Sequence, residues 1–194
     1  MTDAPFDLII HGGTVCCPST LGARVQVDLA IRGGKFVAFG NLRDAVAQER
    51  IDATGLNILP GVIDSQVHMR EPGLEHKEDL AHGALGAVLG GVTTVFEMPN
   101  TKPNTDTPAA LADTLQRASG RMRCDHAFFL GATADNAEQL ATWENLPGAA
   151  GVKIFMGSST GSLLVEDDPT LLRVLRSGRR RQPVRFVETM TAER

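Results

Sequence analysis

Hydrophobic and polar positions change rhythm near Pro60. Before it, apolar residues fall in short runs cut by glycine pairs. Phe6 to Ile10 is an apolar run ended by Gly12-Gly13. Val25-Gln26-Val27-Asp28-Leu29-Ala30-Ile31 alternates with the period of two that a half-buried strand requires. Gly33-Gly34 marks a tight hairpin into Lys35-Phe36-Val37-Ala38-Phe39, which Gly40 closes. The expectation is a small β module over residues 1–58.

From residue 59 to residue 194, apolar runs alternate with helical stretches. Val62-Ile63, Val92 to Phe96, Cys124 to Leu130 and Val152 to Met156 predict strands. Between them, Leu80, Ala84, Ala87 and Val88 share one helical face. Thr107-Pro108 supplies a cap and a first-turn proline for a helix with a Leu111, Leu115, Ala118 stripe that stops at Gly120. Asp135 is placed to cap a third helix carrying Leu140 and Trp143. Asp168-Pro169 opens a fourth, carrying Leu171, Leu172 and Leu175 and ending at Gly178. Repeated β–α units require a parallel sheet with right-handed crossovers. The fold class is therefore α/β, and the number of units predicts an incomplete barrel of four or five strands.

Composition narrows the function classes. The chain has 194 residues, 42% of them hydrophobic and 22% charged, which suits a globular protein with a sizeable core. A net charge of −4 gives no pull toward nucleic acid or an anionic membrane. Arg176, Arg179, Arg180, Arg181 and Arg185 form a basic cluster with no aromatic residue interleaved, so it reads as a solvated helix end. No apolar run reaches the roughly 18 residues of a membrane span. The N-terminus lacks the basic stretch of a secretory signal. Cys16, Cys17 and Cys124 form no CxxC pair and read as small buried hydrophobes in a reducing cytoplasm.

Three segments carry candidate chemistry. In Pro60-Gly61-Val62-Ile63-Asp64-Ser65-Gln66-Val67-His68-Met69-Arg70-Glu71-Pro72-Gly73 an apolar run feeds into Asp, His and Arg before a Pro-Gly turn. In an extended strand, residues 64, 66, 68 and 70 face one way. Four polar side chains there, at the end of a barrel strand where sites are built, are costly unless used. His68 alone also fits a hydrogen-bonded structural histidine. In Glu97-Met98-Pro99-Asn100-Thr101-Lys102-Pro103 the prolines stiffen a loop around Asn100, whose amide can both donate and accept. The same loop also fits a plain turn between strand and helix. In Gly151-Val152-Lys153-Ile154-Phe155-Met156, Lys153 sits inside an apolar strand, where a charged amine is expensive. Either the lysine snorkels to water, or carboxylation turns it into an anionic oxygen ligand. The Gly157-Ser158-Ser159-Thr160-Gly161 tail lacks the Gly-Lys-Ser/Thr ending of a phosphate-binding P-loop.

Together these segments resemble the cyclic amidohydrolases, and dihydroorotase most closely. The resemblance rests on Pro60 to Gly73, on Met98-Pro99-Asn100-Thr101 and on the preceding Gly90-Gly91-Val92-Thr93-Thr94, and it extends over about residues 5 to 180. It implies a small β-sandwich module ahead of a (β/α)8 barrel, of which this chain carries part. It implies His68 as a zinc ligand, Lys153 as a carboxylated lysine bridging two metals, and Arg70 and Asn100 as holders of the substrate carboxylate. The reaction it implies is the reversible hydrolysis of dihydroorotate to N-carbamoyl-aspartate. A homo-oligomer, or a transcarbamoylase partner, is the assembly it implies.

The chain departs from the family pattern at three points. Gln66 stands where a first histidine is expected, and glutamine is a weak zinc ligand beside imidazole, so one of one or two zinc ions is lost or weakly held. Phe186-Val187-Glu188-Thr189 stands where a fifth-strand histidine segment is expected, and valine binds no metal. The later histidine and the general-base aspartate of the eighth strand have no counterpart, so the 194-residue chain alone is expected to be inactive. Two other readings stay open. One is a sister enzyme acting on hydantoin, dihydropyrimidine or allantoin rings. The other is a metal-free structural partner of a transcarbamoylase.

Overall fold

The computed structural model describes residues 5–16, 24–157 and 163–177, and the backbone of 185–188. In chain order the strands are β1 (Phe6–His11), β2 (Thr14–Val15), β3 (Val25–Gln26), β4 (Asp28–Arg32), β5 (Lys35–Gly40), β6 (Ala47–Asp52), β7 (Asn57–Ile58) and β8 (Val62–Val67). Then α1 (Leu80–Leu89), β9 (Val92–Glu97), α2 (Pro108–Ala118), β10 (Asp125–Gly131), α3 (Leu140–Trp143), β11 (Ala149–Phe155), α4 (Asp168–Ser177) and β12 (Arg185–Glu188) complete the order. The chain divides into two compact units, Met1–Pro60 and Gly61–Arg194.

In the first unit a four-stranded sheet runs β5-β4-β1-β6 and a three-stranded sheet runs β3-β2-β7. The alternating run from Val25 to Ile31 is not one strand. It breaks at Val27 into β3 and β4, which belong to different sheets. Asp28 makes the break useful, because its carboxylate accepts the Gly12 amide at 3.0 Å and the Leu42 amide at 2.9 Å. These two donors hold its carboxyl below the usual carboxylate range, the Leu42 amide most.

The second unit is one parallel sheet in the order β12-β11-β10-β9-β8, curled as part of a barrel. Its core lies between sheet and helices, built from Val95, Phe128, Leu130, Val152 and Ile154 on the strands against Leu80, Leu111, Ala118, Leu140 and Val174. The other parity of the same strands faces the barrel interior, where Phe96 and Phe129 meet edge-on at 6.3 Å between centroids.

Helix starts follow the chain's own signals in part. Thr107 caps α2 by accepting the Ala110 amide at 3.1 Å, with Pro108 in the first turn. α1 takes its cap from Asp79, whose carboxylate accepts the His82 amide at 2.8 Å. Its apolar stripe is only half used, since Leu80 and Ala84 are buried while Val88 is exposed. Asp135 caps nothing. The third helix starts later, behind Gln139, as a single turn without a side-chain cap. Asn136 stands out there instead, because its amide donates to Asp106 O and Gly131 O, both at 2.9 Å, and accepts the Thr133 amide. For α4 the amide of Thr170 is met by Asp167, one residue before the expected Asp168. Its expected end at Gly178, the arginines at 179–181, Cys17, the 158–161 tail and Thr189 lie outside the described residues.

Candidate active site at the carboxyl edge of the parallel sheet

Parallel strands bring their C-terminal ends to one edge, and in barrels of this class that edge carries the chemistry. His68 directly follows β8, Asn100 lies three residues beyond β9, and Lys153 stands near the end of β11. In register, Val67 faces Glu97 across β8–β9, and Gly131 faces Lys153 across β10–β11. His68, Asn100 and Lys153 therefore belong to the same edge, and Arg70 follows His68 by two residues.

The first segment is not one extended face. β8 ends at Val67, and its register with β9 shifts between Asp64 and Val67. Asp64 and Gln66 are exposed, while His68 and Arg70 are half-buried. The backbone turns at Arg70, which adopts φ 67°, a left-handed conformation that non-glycine residues rarely take. A register slip and a turn thus replace the alternation that the sequence pattern implies.

The Glu71–Gly73 turn beyond Arg70 is fixed from several sides. Glu71 is 3% exposed and forms a bidentate pair with Arg121, Nη1 to Oε1 at 2.6 Å and Nη2 to Oε2 at 2.9 Å. Its Oε2 also accepts the Leu80 amide at 3.0 Å. Gly73 adopts φ 95°, and a Cβ there would lie 2.2 Å from Lys102 O. The Lys102 amide in turn donates to Pro72 O at 2.9 Å. The turn after β8 is thus stitched to the loop after β9.

That second loop is held just as closely. The amides of Thr101 and Thr105 both donate to Pro99 O at 2.9 Å, and the Thr101 hydroxyl donates to Pro103 O at 2.7 Å. Thr105 O accepts the Gly131 amide at 2.9 Å, tying the loop to β10. Inside this frame Asn100 is 8% exposed, and its Oδ1 is buried without a hydrogen-bond partner. An orphaned buried acceptor costs free energy in the protein by itself. The Arg70 side chain donates no hydrogen bond and makes no ion pair among the described residues.

Lys153 is fully buried, as its place between Val152 and Ile154 requires. Those two face the helix-side core, which turns Lys153 to the interior. Its ammonium lies 4.9 Å from the Phe155 ring centroid. Gly131, its register partner, leaves room for Leu163, whose Cδ1 would meet a Cβ there at 2.7 Å.

Glu97 is the residue that sequence reading passed over. It closes β9, is 3% exposed, and accepts the Met69 amide with both oxygens at 3.0 and 2.9 Å. Burial pushes its carboxyl up to about 8, against the Met69 amide and the charge of Arg70, with Glu78 adding to the rise. Its only signal in the sequence is an acidic residue ending an apolar strand.

The donors for a catalytic zinc ion are incomplete among the described residues. Such an ion takes about three protein ligands. Among the described residues no three His, Cys, Asp or Glu side chains come together. Gln66 is exposed and neutral, and position 187, paired with Ile154, is a valine, which has no donor atom. The described residues do not fit a complete zinc centre.

The comparisons with known proteins agree with this architecture. A family model described as dihydro-orotase-like matches residues 55–155. The multifunctional protein CAD of Squalus acanthias is 44% identical over 109 residues, covering 56% of this chain and 5% of CAD. The allantoinase of Escherichia coli K12 is 39% identical over 155 residues, covering 79% of this chain and 33% of the allantoinase. The L-hydantoinase (dihydropyrimidinase) of Arthrobacter aurescens superposes with a TM-score of 0.80 at 27% identity, over 87% of this chain and 37% of that one. The chain thus spans about a third of the length of the allantoinase and the hydantoinase. With its parallel part-barrel, its Arg70 and Asn100 loops and a family match over more than half its length, the chain belongs to the dihydro-orotase-like cyclic amidohydrolases.

Proposed function

We propose that this chain carries the carboxylate-binding side of a dihydroorotase-type active site, in a hydrolase that reversibly opens the ring amide of dihydroorotate to N-carbamoyl-aspartate in cytoplasmic pyrimidine biosynthesis. The observation behind this reading is the pair of unspent groups at the sheet edge, the Arg70 guanidinium and the buried Asn100 Oδ1. A guanidinium matches a carboxylate with two parallel charge-assisted hydrogen bonds. The Asn100 acceptor suits a ring N–H beside that carboxylate. Arg70 therefore anchors the substrate's charge and Asn100 sets the ring's orientation. His68 and a carboxylated Lys153 are two of the donors of a one- or two-zinc centre. Its remaining ligands, and the aspartate that moves protons, belong to barrel strands outside these residues. We assign the small module to residues 1–58 and the barrel part to 59–194. The working protein is a homo-oligomer or the partner of a transcarbamoylase.

The test is a calorimetric titration of the purified protein with dihydroorotate, hydantoin and allantoin. Dihydroorotate binding should weaken by about ten- to a hundredfold in Arg70→Met, the loss expected for a charged hydrogen bond, while binding of carboxylate-free rings stays unchanged. Dihydroorotate binding that ignores Arg70→Met would overturn the reading. With excess zinc and bicarbonate, the 194-residue chain should hydrolyse no dihydroorotate above a His68→Ala control. Turnover above that control would show that these residues complete a site.

A second reading has one observation in its favour. The allantoinase match covers 79% of the chain, against 56% for the match to CAD. On that reading the ring is a ureide without a carboxylate, and allantoin binds while dihydroorotate does not.

A further inference from the structure

We infer that Glu97 is a positioning residue for the substrate-anchoring turn, holding the His68–Arg70 backbone in the one conformation that presents Arg70 to a carboxylate. This rests on the reading of Arg70 as the carboxylate anchor.

The geometry begins where β8 stops pairing as a strand. The last backbone bond across β8–β9 at this end is Met98 N–H to Val67 O at 3.0 Å. Beyond it the chain leaves the sheet, and the next inward amide, Met69 N–H, has no strand carbonyl to meet. Met69 is itself 3% exposed, so water does not satisfy that amide. The Glu97 carboxyl group does, with both oxygens on the one N–H. A side chain thus takes over the role of a backbone acceptor at the point where the main chain must turn. The next residue, Arg70, then adopts φ 67°. A left-handed φ at a non-glycine residue persists only where its surroundings over-determine it. Here they do so from both sides, by Glu97 on Met69 before it and by the Glu71–Arg121 pair after it.

The face on which Glu97 lies separates positioning from direct action. It shares the parity of Val95, which packs in the core between sheet and helices, while Phe96 points to the interior. Its carboxyl group therefore lies beneath the turn and touches the backbone of Met69.

Two variants test this in the purified chain. Glu97→Met keeps length and burial but removes the acceptor, and Glu97→Gln keeps one acceptor oxygen. Hydrogen exchange by NMR is the first readout. In Glu97→Met the Met69 amide should lose about tenfold or more of its protection, as expected for a lost buried hydrogen bond. Phe129 and Leu130 on β10 should keep theirs, and Glu97→Gln should restore most of the loss at Met69. The second readout is dihydroorotate affinity, expected to fall about tenfold in Glu97→Met and to recover in Glu97→Gln. Unchanged Met69 protection would overturn the inference. So would protection lost equally throughout the sheet, which marks a general scaffold residue. If the unmodified chain binds no dihydroorotate, the substrate reading fails, and the exchange at Met69 still decides the role of Glu97.

Discussion

Single residues at the sheet edge carry most of the unusual energetics. Glu97 has the clearest consequence. Its carboxyl titrates near 8 in the folded protein, against an ordinary value of 4.5. Between those values the folded state keeps a proton that the unfolded chain has released. Its contribution to stability is therefore complete below pH 4.5 and falls as the pH rises toward 8. Glu97→Gln removes this titration, so the difference in melting temperature between variant and parent should grow in the variant's favour across that window. A constant difference would show that Glu97 does not titrate there. Gly73 is the second case. Its φ of 95° and the 2.2 Å approach to Lys102 O leave no space for a methyl group. Gly73→Ala should cost roughly 2 kcal/mol or more in chemical denaturation. A smaller loss would mean that the turn can relax.

At the level of elements, the caps are the most local features and the easiest to foresee. Thr107-Pro108 opens α2 where the sequence places it, because a hydroxyl acceptor and a missing N–H serve a helix start whatever surrounds it. Thr107→Ala should lower stability by about 1 kcal/mol, read as a shift in the denaturation midpoint with unchanged slope. The strand pattern around Lys153 agrees with the structure, whereas the longer alternation from Val25 to Ile31 breaks at Val27. Lys153 is buried because Val152 and Ile154 face the helices. Pattern fails where the chain leaves regular structure. Asp64, Gln66, His68 and Arg70 share no single face, since a register shift and the turn at Arg70 interrupt the alternation. Asp135 resembles a cap because Asp favours helix starts, yet the chain continues through turns until Gln139. Asn136 there bridges Asp106 and Gly131, partners 30 and 5 residues away, which local propensity cannot weigh.

At the scale of the whole molecule, the part-barrel leaves β8 at one end of its sheet. Val62 and Ile63 on that edge are 51% and 61% exposed, and Leu89 on the adjoining helix is 80% exposed. An apolar strand edge with unpaired backbone groups is a template for association. The chain should therefore self-associate as its concentration rises, and Ile63→Lys should shift it toward monomer in sedimentation. Monomer at high concentration without that change would show that the edge is protected. Among the described residues no helix is long and apolar enough to cross a membrane.

The sequence by itself determined the order of elements after Pro60, the parallel sheet, the burial of Lys153 and the family, because periodicity and short motifs are properties of neighbouring residues. Tertiary structure alone decided the rest. Glu71 meets Arg121 across 50 positions, Met69 meets Glu97 across 28, and the oxygen of Asn100 goes unsatisfied only because the loops around it exclude water. A buried charge or an orphaned acceptor is defined by what surrounds it in space. No local pattern encodes that until strands distant along the chain are brought side by side.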